Sequence, residues 1–358
     1  MKILVIANMF PSKAYPSYGI FVKKHVDILE KAASSLDTIT MQKEVSKGKK
    51  LWRYIQFYFQ IFFTLLFKKY DLVYLHYASH SALPVLGSKY LKRRINLTVN
   101  LHGSDVFPET PIQERLQKWV VRLLKQANHV VVPSQYFKEV VIDRYNIHSE
   151  NILISPSGGV NRTLFAPQET DKNSDVFQVG YVGRIDVDKG WDDAIRGFNE
   201  FKLQSSRPAQ LIMVGNGKEN KQKEALIQEL GLEEDVRCYD LLPQEALVAL
   251  YNEMDVFVFP SRREGESLGL VGIEALACGI PVIGSQIAGI KGYLVEGENG
   301  YFTEAGNPYS IAEKLLEFHA NSEEEKQTLK KNAFHSASPY DQVQVEEDML
   351  GILATLIK

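Results

Sequence analysis

Short apolar runs alternate with longer amphipathic stretches along almost the whole chain, and this rhythm restricts the fold more than any other feature. Runs rich in Val, Ile and Leu stand at 3–7, 72–77, 97–101, 130–133 and 152–155, and resume at 178–182, 211–214, 256–260 and 281–283. Strands that are apolar throughout are buried on both faces, which belongs to parallel sheets rather than half-solvated antiparallel ones. Helical spacing over 21–33, 113–126 and 191–202 separates many of them. Strand–helix alternation of this kind predicts a doubly wound α/β architecture. The rhythm breaks near the middle, at Ser157-Gly158-Gly159 and in the polar run 167–174. A chain of 358 residues accommodates two domains of ordinary size, and the break divides it into 1–165 and 166–339, with a last helical pattern over 343–357.

Charge is unevenly spread. The net value is -3, yet residues 1–165 hold 23 Lys+Arg against 11 Asp+Glu. Either charge has drifted between the two domains, or the basic half faces something anionic. Segment 51–67 is apolar except for Arg53, Gln56, Gln60 and Thr64, which fall on one helical stripe. Lysines crowd both of its ends. It reads either as a helix buried in the first domain or as an interfacial helix resting on an anionic leaflet; 17 residues lie at the lower limit for spanning a bilayer. The apolar N-terminus is too short for a signal peptide and reads as a first buried strand. The two cysteines, Cys238 and Cys278, have no metal-like spacing, so a reducing, cytoplasmic setting and no metal site are expected.

The chemistry concentrates after the strand at 256–260. Glu264-Gly265-Glu266-Ser267-Leu268-Gly269 forms a turn that opens a helix, and the helix stops at Gly279-Ile280-Pro281. A strand–turn–helix start leaves backbone N–H groups unpaired at the positive end of a helix, which suits a diphosphate. Glycines there allow a ligand to approach the main chain. Glu266 in the turn and Glu274 in the helix offer two carboxylates to hydroxyl groups of one ligand, in charge-assisted hydrogen bonds worth roughly 1.5–3 kcal/mol each.

Together with Ala275-Leu276-Ala277-Cys278-Gly279-Ile280-Pro281-Val282, the Glu266-x7-Glu274 spacing resembles the donor-site signature of family-four retaining glycosyltransferases. Gly183-Arg184 followed by Lys189-Gly190 resembles that family's phosphate-gripping element. Val214-Gly215-Asn216-Gly217 resembles its second glycine turn, and His102-Gly103-Ser104-Asp105 its first-domain loop. The resemblance implies the GT-B fold, two Rossmann-like doubly wound domains facing a central cleft, with the donor held by the C-terminal domain, the acceptor by the N-terminal one, and the final helix, about 340–358, returning to the first.

What the resemblance implies for single residues is specific. Arg184 and Lys189 neutralise the donor diphosphate, Glu266 holds the donor sugar and Glu274 the ribose. His102 contacts the sugar near the reacting centre, and Asp105 stabilises its loop. Ser267, Leu268, Gly269 and Leu270 offer backbone to sugar or phosphate, and Gly215 belongs to the same donor set. Gly19 occupies the place of the family's first glycine-rich loop, but Tyr18-Gly19 departs from the usual double glycine, and this puts the acceptor geometry in doubt. The resemblance implies a metal-independent hexosyl transferase of polysaccharide or glycoconjugate synthesis. A UDP-type nucleotide sugar is its favoured donor, and a glycan or lipid-diphosphate-linked acceptor its partner. Peripheral contact with the cytoplasmic membrane face is expected, and nucleic acid is not. A nucleotide-sugar epimerase on the same fold and a non-catalytic sugar-nucleotide-binding subunit are the competing readings.

Overall fold

A computed structural model describes residues 1–15, 18–92, 95–169 and 175–356. Most of the expected linker, from Thr170 to Ser174, together with Pro16 and Ser17 of the first loop, lies outside the described residues. The chain forms two compact units, Met1–Gly158 with Val343–Lys358, and Gly159–Gln342. This boundary precedes the expected one at 165/166 by a few residues, because Val160 and Phe165 pack into the core of the second unit.

Unit 1 is built on six parallel strands in the order β2-β1-β3-β4-β5-β6: β1 Lys2–Phe10, β2 Ser35–Gln42, β3 Leu72–His76, β4 Leu97–Asn100, β5 His129–Val132 and β6 Ile152–Ile154. The period-two alternation of side chains splits the buried residues between the two faces. Leu4, Ile6, Val73, Leu75, Leu97, Val99, Val130 and Val132 join one core. Ile3, Val5, Leu72, Tyr74 and Val131 join the other, which is completed by Val26 and Leu29 of helix Ile20–Ala32 and by Met349, Leu353 and Leu356 of the final helix, Gln342–Leu356.

Unit 2 repeats the plan with the order β12-β11-β10-β7-β8-β9: β7 Phe177–Val182, β8 Ala209–Val214, β9 Val236–Tyr239, β10 Val256–Phe259, β11 Val282–Ser285 and β12 Gly300–Thr303. Val179, Leu211, Met213, Val256, Val258 and Ile283 face one core; Ile212, Val214, Phe257, Phe259 and Val282 face the other. The residues joining the units also bond to each other within unit 2: Val160 donates its N–H to Tyr340 O (2.8 Å), and Gln342 donates to Val160 O (2.9 Å).

Three strands escape the sequence reading: β2, β9 and β12. All three are sheet edges. An edge strand is solvated on one side and carries polar residues that interrupt the apolar run, as in Ser-Leu-Asp-Thr-Ile-Thr-Met-Gln of β2.

Both sheets have a switch point, where strand order reverses direction. In unit 2 the chain runs outward from β7 to β8 and β9, then returns to place β10 on the other side of β7. In unit 1 the corresponding point lies between β1 and β3. Ligands of open α/β sheets bind beyond the carboxyl ends of the strands at such points.

Candidate active site

The loops after β7 and β10 flank the unit 2 switch point, and the singled-out residues of this half sit on them or close by. After β7 the chain passes Gly183 and Arg184, makes a tight turn at Val187–Lys189, and enters helix Trp191–Gln204. After β10 it runs through Ser261 and Glu266 to Gly269, whose backbone is left-handed (φ 76°), and starts helix Leu270–Ala277. No side chain fits at Gly269: a Cβ there would stand 2.5 Å from the Phe259 ring and 3.2 Å from the Tyr293 hydroxyl. The glycine thus fixes where the helix begins.

Lys189 and Glu266 meet across the switch point. The Lys189 ammonium donates to Glu266 Oε2 at 2.5 Å, and Ser261 Oγ donates to the same oxygen at 3.1 Å. Both charged side chains are largely covered, at 14% and 11% exposure. Oε1 carries neither bond, and an ammonium has two further N–H donors. The pair therefore holds a positive and a negative group in fixed positions while each keeps bonding capacity toward a ligand. Main-chain bonds brace the loop: Glu266 N–H donates to Arg263 O, and Gly289 N–H to Glu266 O, both at 2.9 Å.

Arg184 is half-exposed and ion-paired with Asp186 at 2.6 Å, at the end of the same strand as the turn that carries Lys189. Glu274 lies in the second turn of its helix, where the one O–H of the buried Tyr251 is shared between Val271 O at 3.1 Å and Glu274 Oε2 at 3.3 Å. Burial first, and then the neighbouring Glu274 charge, push the Tyr251 phenol far above its ordinary range, so it stays a donor. Ser267 is half-buried, while the Leu268 side chain belongs to the core, leaving only its main chain for a ligand. Gly215 has a need of its own: a Cβ there would strike Gly183 O at 1.8 Å. The glycine is required where the loops after β7 and β8 touch, whether or not a ligand is present.

In unit 1, Gly19 caps helix Ile20–Ala32 after β1 with a left-handed backbone, and His102 follows β4 at the start of the short helix Gly103–Val106. Asp105 is fully buried. Its Oδ1 accepts from Ser79 N–H (2.9 Å) and Ser79 Oγ–H (2.7 Å), and its Oδ2 accepts from His102 N–H (3.1 Å). Asp105 holds its loop in place, because all three of these bonds direct its carboxylate into the protein. Asp105→Asn leaves one of these donors facing an amide N–H. A loss of about 1.5–3 kcal/mol is expected, measured as a lower urea midpoint.

Two histidines that the strand pattern did not single out lie behind His102. His76, the last residue of β3, has Nδ1 3.2 Å from His102 Nε2, so one ring donates to the other. His25 places its ring 5.1 Å from that of His76 and donates from Nδ1 to Phe21 O. His76 could have been noticed as a histidine ending β3 beside the β4 end that leads to His102, whereas His25, inside helix Ile20–Ala32, gave no such signal. Burial lowers all three pKa values, that of His102 to about 3. The folded unit keeps the rings neutral, whereas an unfolded chain protonates them below about pH 6.5. Stability therefore falls as pH drops from 6.5, by up to about 1.4 kcal/mol per pH unit for each histidine. Asp105, raised by its burial, acts with the opposite sign near the carboxylate range. Urea midpoints at pH 7.5, 6.5 and 5.5 test this, and His76→Gln is expected to flatten the slope by about one proton.

Residues 164–336 match the family model of glycosyl transferases group 1, and residues 33–158 match that of glycosyltransferase family 4. The chain belongs to glycosyltransferase family 4. Among its relatives in this family is a capsular polysaccharide biosynthesis glycosyltransferase, CapM, of Staphylococcus aureus. It is 32% identical over 218 residues, which cover 58% of this chain and 56% of that protein. The N-acetyl-alpha-D-glucosaminyl L-malate synthase of Bacillus anthracis is 25% identical over 261 residues, covering 69% and 65%. These matches thus span somewhat over half the length of each relative.

Solved glycosyltransferase structures share the GT-B fold. Sucrose-phosphate synthase of Thermosynechococcus elongatus superposes with a TM-score of 0.79 at 20% identity, covering 99% of both chains. The Anabaena protein HepE in complex with UDP superposes at 0.77 and 19% identity, covering 99% and 100%. The family-4 chain thus combines two complete six-stranded halves, with Lys189, Glu266 and the Gly269 helix start at the switch point of one and His102 at a strand end of the other.

Proposed function

We propose that this family-4 glycosyltransferase moves a hexosyl group from a nucleoside-diphosphate sugar to a glycan or lipid-linked acceptor with retention of anomeric configuration. The single observation that carries the reading is the Lys189–Glu266 pair, closed at 2.5 Å across the unit 2 switch point. In this reading Lys189 and Arg184 neutralise the diphosphate, and the N–H groups opening helix Leu270–Ala277 donate to its oxygens. Glu266 accepts from sugar hydroxyls through its remaining oxygen, and Glu274 from the ribose. Ser267 and the main chain at Leu268 and Gly269 line the same helix start. Unit 1 binds the acceptor, with backbone approach at Gly19, and contributes the His102 contact to the transferred sugar.

The bond from the anomeric carbon to the phosphate oxygen breaks as the acceptor oxygen bonds to the same face, and the departing phosphate takes the acceptor proton. Negative charge grows on the leaving diphosphate, so the cations act more strongly on the transition state than on the bound donor. UDP is favoured as the carrier, in keeping with HepE, whose solved complexes include UDP and UDP-glucose. The activity needs no metal ion in this reading.

A panel of UDP, GDP and ADP sugars, assayed for released nucleoside diphosphate with and without chelator, tests the proposal. The expected result is turnover of a UDP sugar that persists in chelator, with a product whose anomeric proton coupling matches the donor's. Isomerised donor sugar in the absence of acceptor supports an epimerase instead, and loss of turnover in chelator rules out the metal-free form.

A further inference from the structure

Helix Lys47–Phe67 buries one narrow side. Phe57, Ile61 and Leu65 pack into the unit 1 core. At 100° per residue, Trp52, Phe59 and Phe63 fall on the opposite side, with Ile55 and Phe67 beside them. These five are 60, 57, 46, 37 and 75% exposed, and Leu51 is 65% exposed. The Phe59, Phe63 and Phe67 rings stack in sequence, with centroids 6.0 and 6.1 Å apart and planes within 10° of each other. Single apolar side chains are scattered over any protein surface, but a contiguous row of large ones marks a contact surface. By the same geometry Gln56 lies among the side chains of this row and Gln60 borders them.

The charges at its ends indicate the partner. Lys47, Lys49 and Lys50 are exposed in and just after the first turn, which contains no acidic residue. Cations there oppose the helix dipole, so helix stability does not account for them. Lys68 and Lys69 are exposed at the other end. Unit 1 as a whole has 23 Lys+Arg against 14 Asp+Glu. A second copy of this chain paired on the same face by a two-fold axis would set lysine clusters against each other. A plane of negative charge over an apolar interior complements both the lysines and the rings. No helix among the described residues is long and apolar enough to cross a membrane, so the helix would lie in the interface.

We propose that this face of unit 1 docks on an anionic lipid bilayer, with Trp52, Phe59 and Phe63 entering the headgroup layer and the lysines at both ends meeting lipid phosphates. The inference stands independently of the donor site, because none of these residues belongs to it. It is tested by flotation of the full chain with vesicles of phosphatidylcholine alone and of phosphatidylcholine mixed with phosphatidylglycerol, at low and high salt. Co-flotation with the mixed vesicles is expected, weakened by salt and absent with phosphatidylcholine alone. Phe59→Ser/Phe63→Ser and, separately, Lys47→Glu/Lys49→Glu/Lys50→Glu are each expected to weaken it about tenfold or more. All these positions are exposed, and circular dichroism checks that the fold survives. Absence of flotation with mixed vesicles at low salt, equal binding to neutral vesicles, or flotation indifferent to both variants overturns the proposal. A wild-type dimer that the phenylalanine variant dissociates, seen by light scattering, assigns the face to a second copy and overturns it as well.

Discussion

Lys189→Ala protein is expected to remain folded and to lose transfer activity by about 10²–10³ in kcat, the scale of removing one preorganised group that stabilises developing charge. The substitution removes the ammonium nearest the proposed leaving group and also frees Glu266, whose Oε2 then keeps only the Ser261 hydroxyl. Two effects should therefore combine, one on charge and one on the placement of the sugar contact. Glu266→Gln separates them, since it keeps an acceptor for Lys189 while removing the carboxylate's charge. The measurement is kcat and KM for donor, with far-ultraviolet circular dichroism as the control for fold. A Lys189→Ala enzyme with unchanged kcat would place the diphosphate elsewhere.

The second large effect concerns stability. Val345, Met349, Leu353 and Leu356 of the final helix are at most 2% exposed, and the last three close one core of unit 1 against Ile3, Val5 and Tyr74. Truncating a buried Met or Leu to Ala costs about 2–5 kcal/mol, and domains hold together by only about 5–15 kcal/mol. The Met349→Ala/Leu353→Ala protein is therefore expected to unfold in unit 1 at far lower urea than the parent, while unit 2, whose cores contain neither residue, keeps its transition. Urea titration read by near-ultraviolet circular dichroism distinguishes the two, and an unchanged first transition contradicts the packing argument.

Legibility in the sequence followed burial. The central strands announce themselves because both faces are covered and most side chains are apolar, despite Thr98 and Asn100 in β4 and Gln178 in β7. The edges β2 and β9 do not, since water on one side allows polar residues to break the run; β12 is largely buried but has only Tyr301 and Phe302 as adjacent apolar residues between Gly300 and Thr303. At the site, the loop-to-helix turn before Leu270 could be read from Gly265 and Gly269, because a strand followed by glycines and then a helix is local. That Lys189 and Glu266, 77 residues apart, share a hydrogen bond is tertiary information that no local spacing contains. Tyr251 was hidden for the same reason: its contact with Glu274 depends on how two helices pack. For Asp105 a loop-holding role could be read from the motif, whereas its partner Ser79, 26 residues earlier in the chain, could not.

Unit 1 is not continuous in the chain, and this affects how the protein is made. A ribosome releases strands β1 to β6 well before it reaches residue 343, and the whole of unit 2 is synthesised in between. At 5–20 residues per second that interval is roughly 10–40 s. During it, helix Ile20–Ala32 is the helix available to the Ile3 and Val5 side of the first sheet, and the part of that side that awaits the last helix stays uncovered, a nascent surface suited to capture by a chaperone. The half that emerges first is the last to mature.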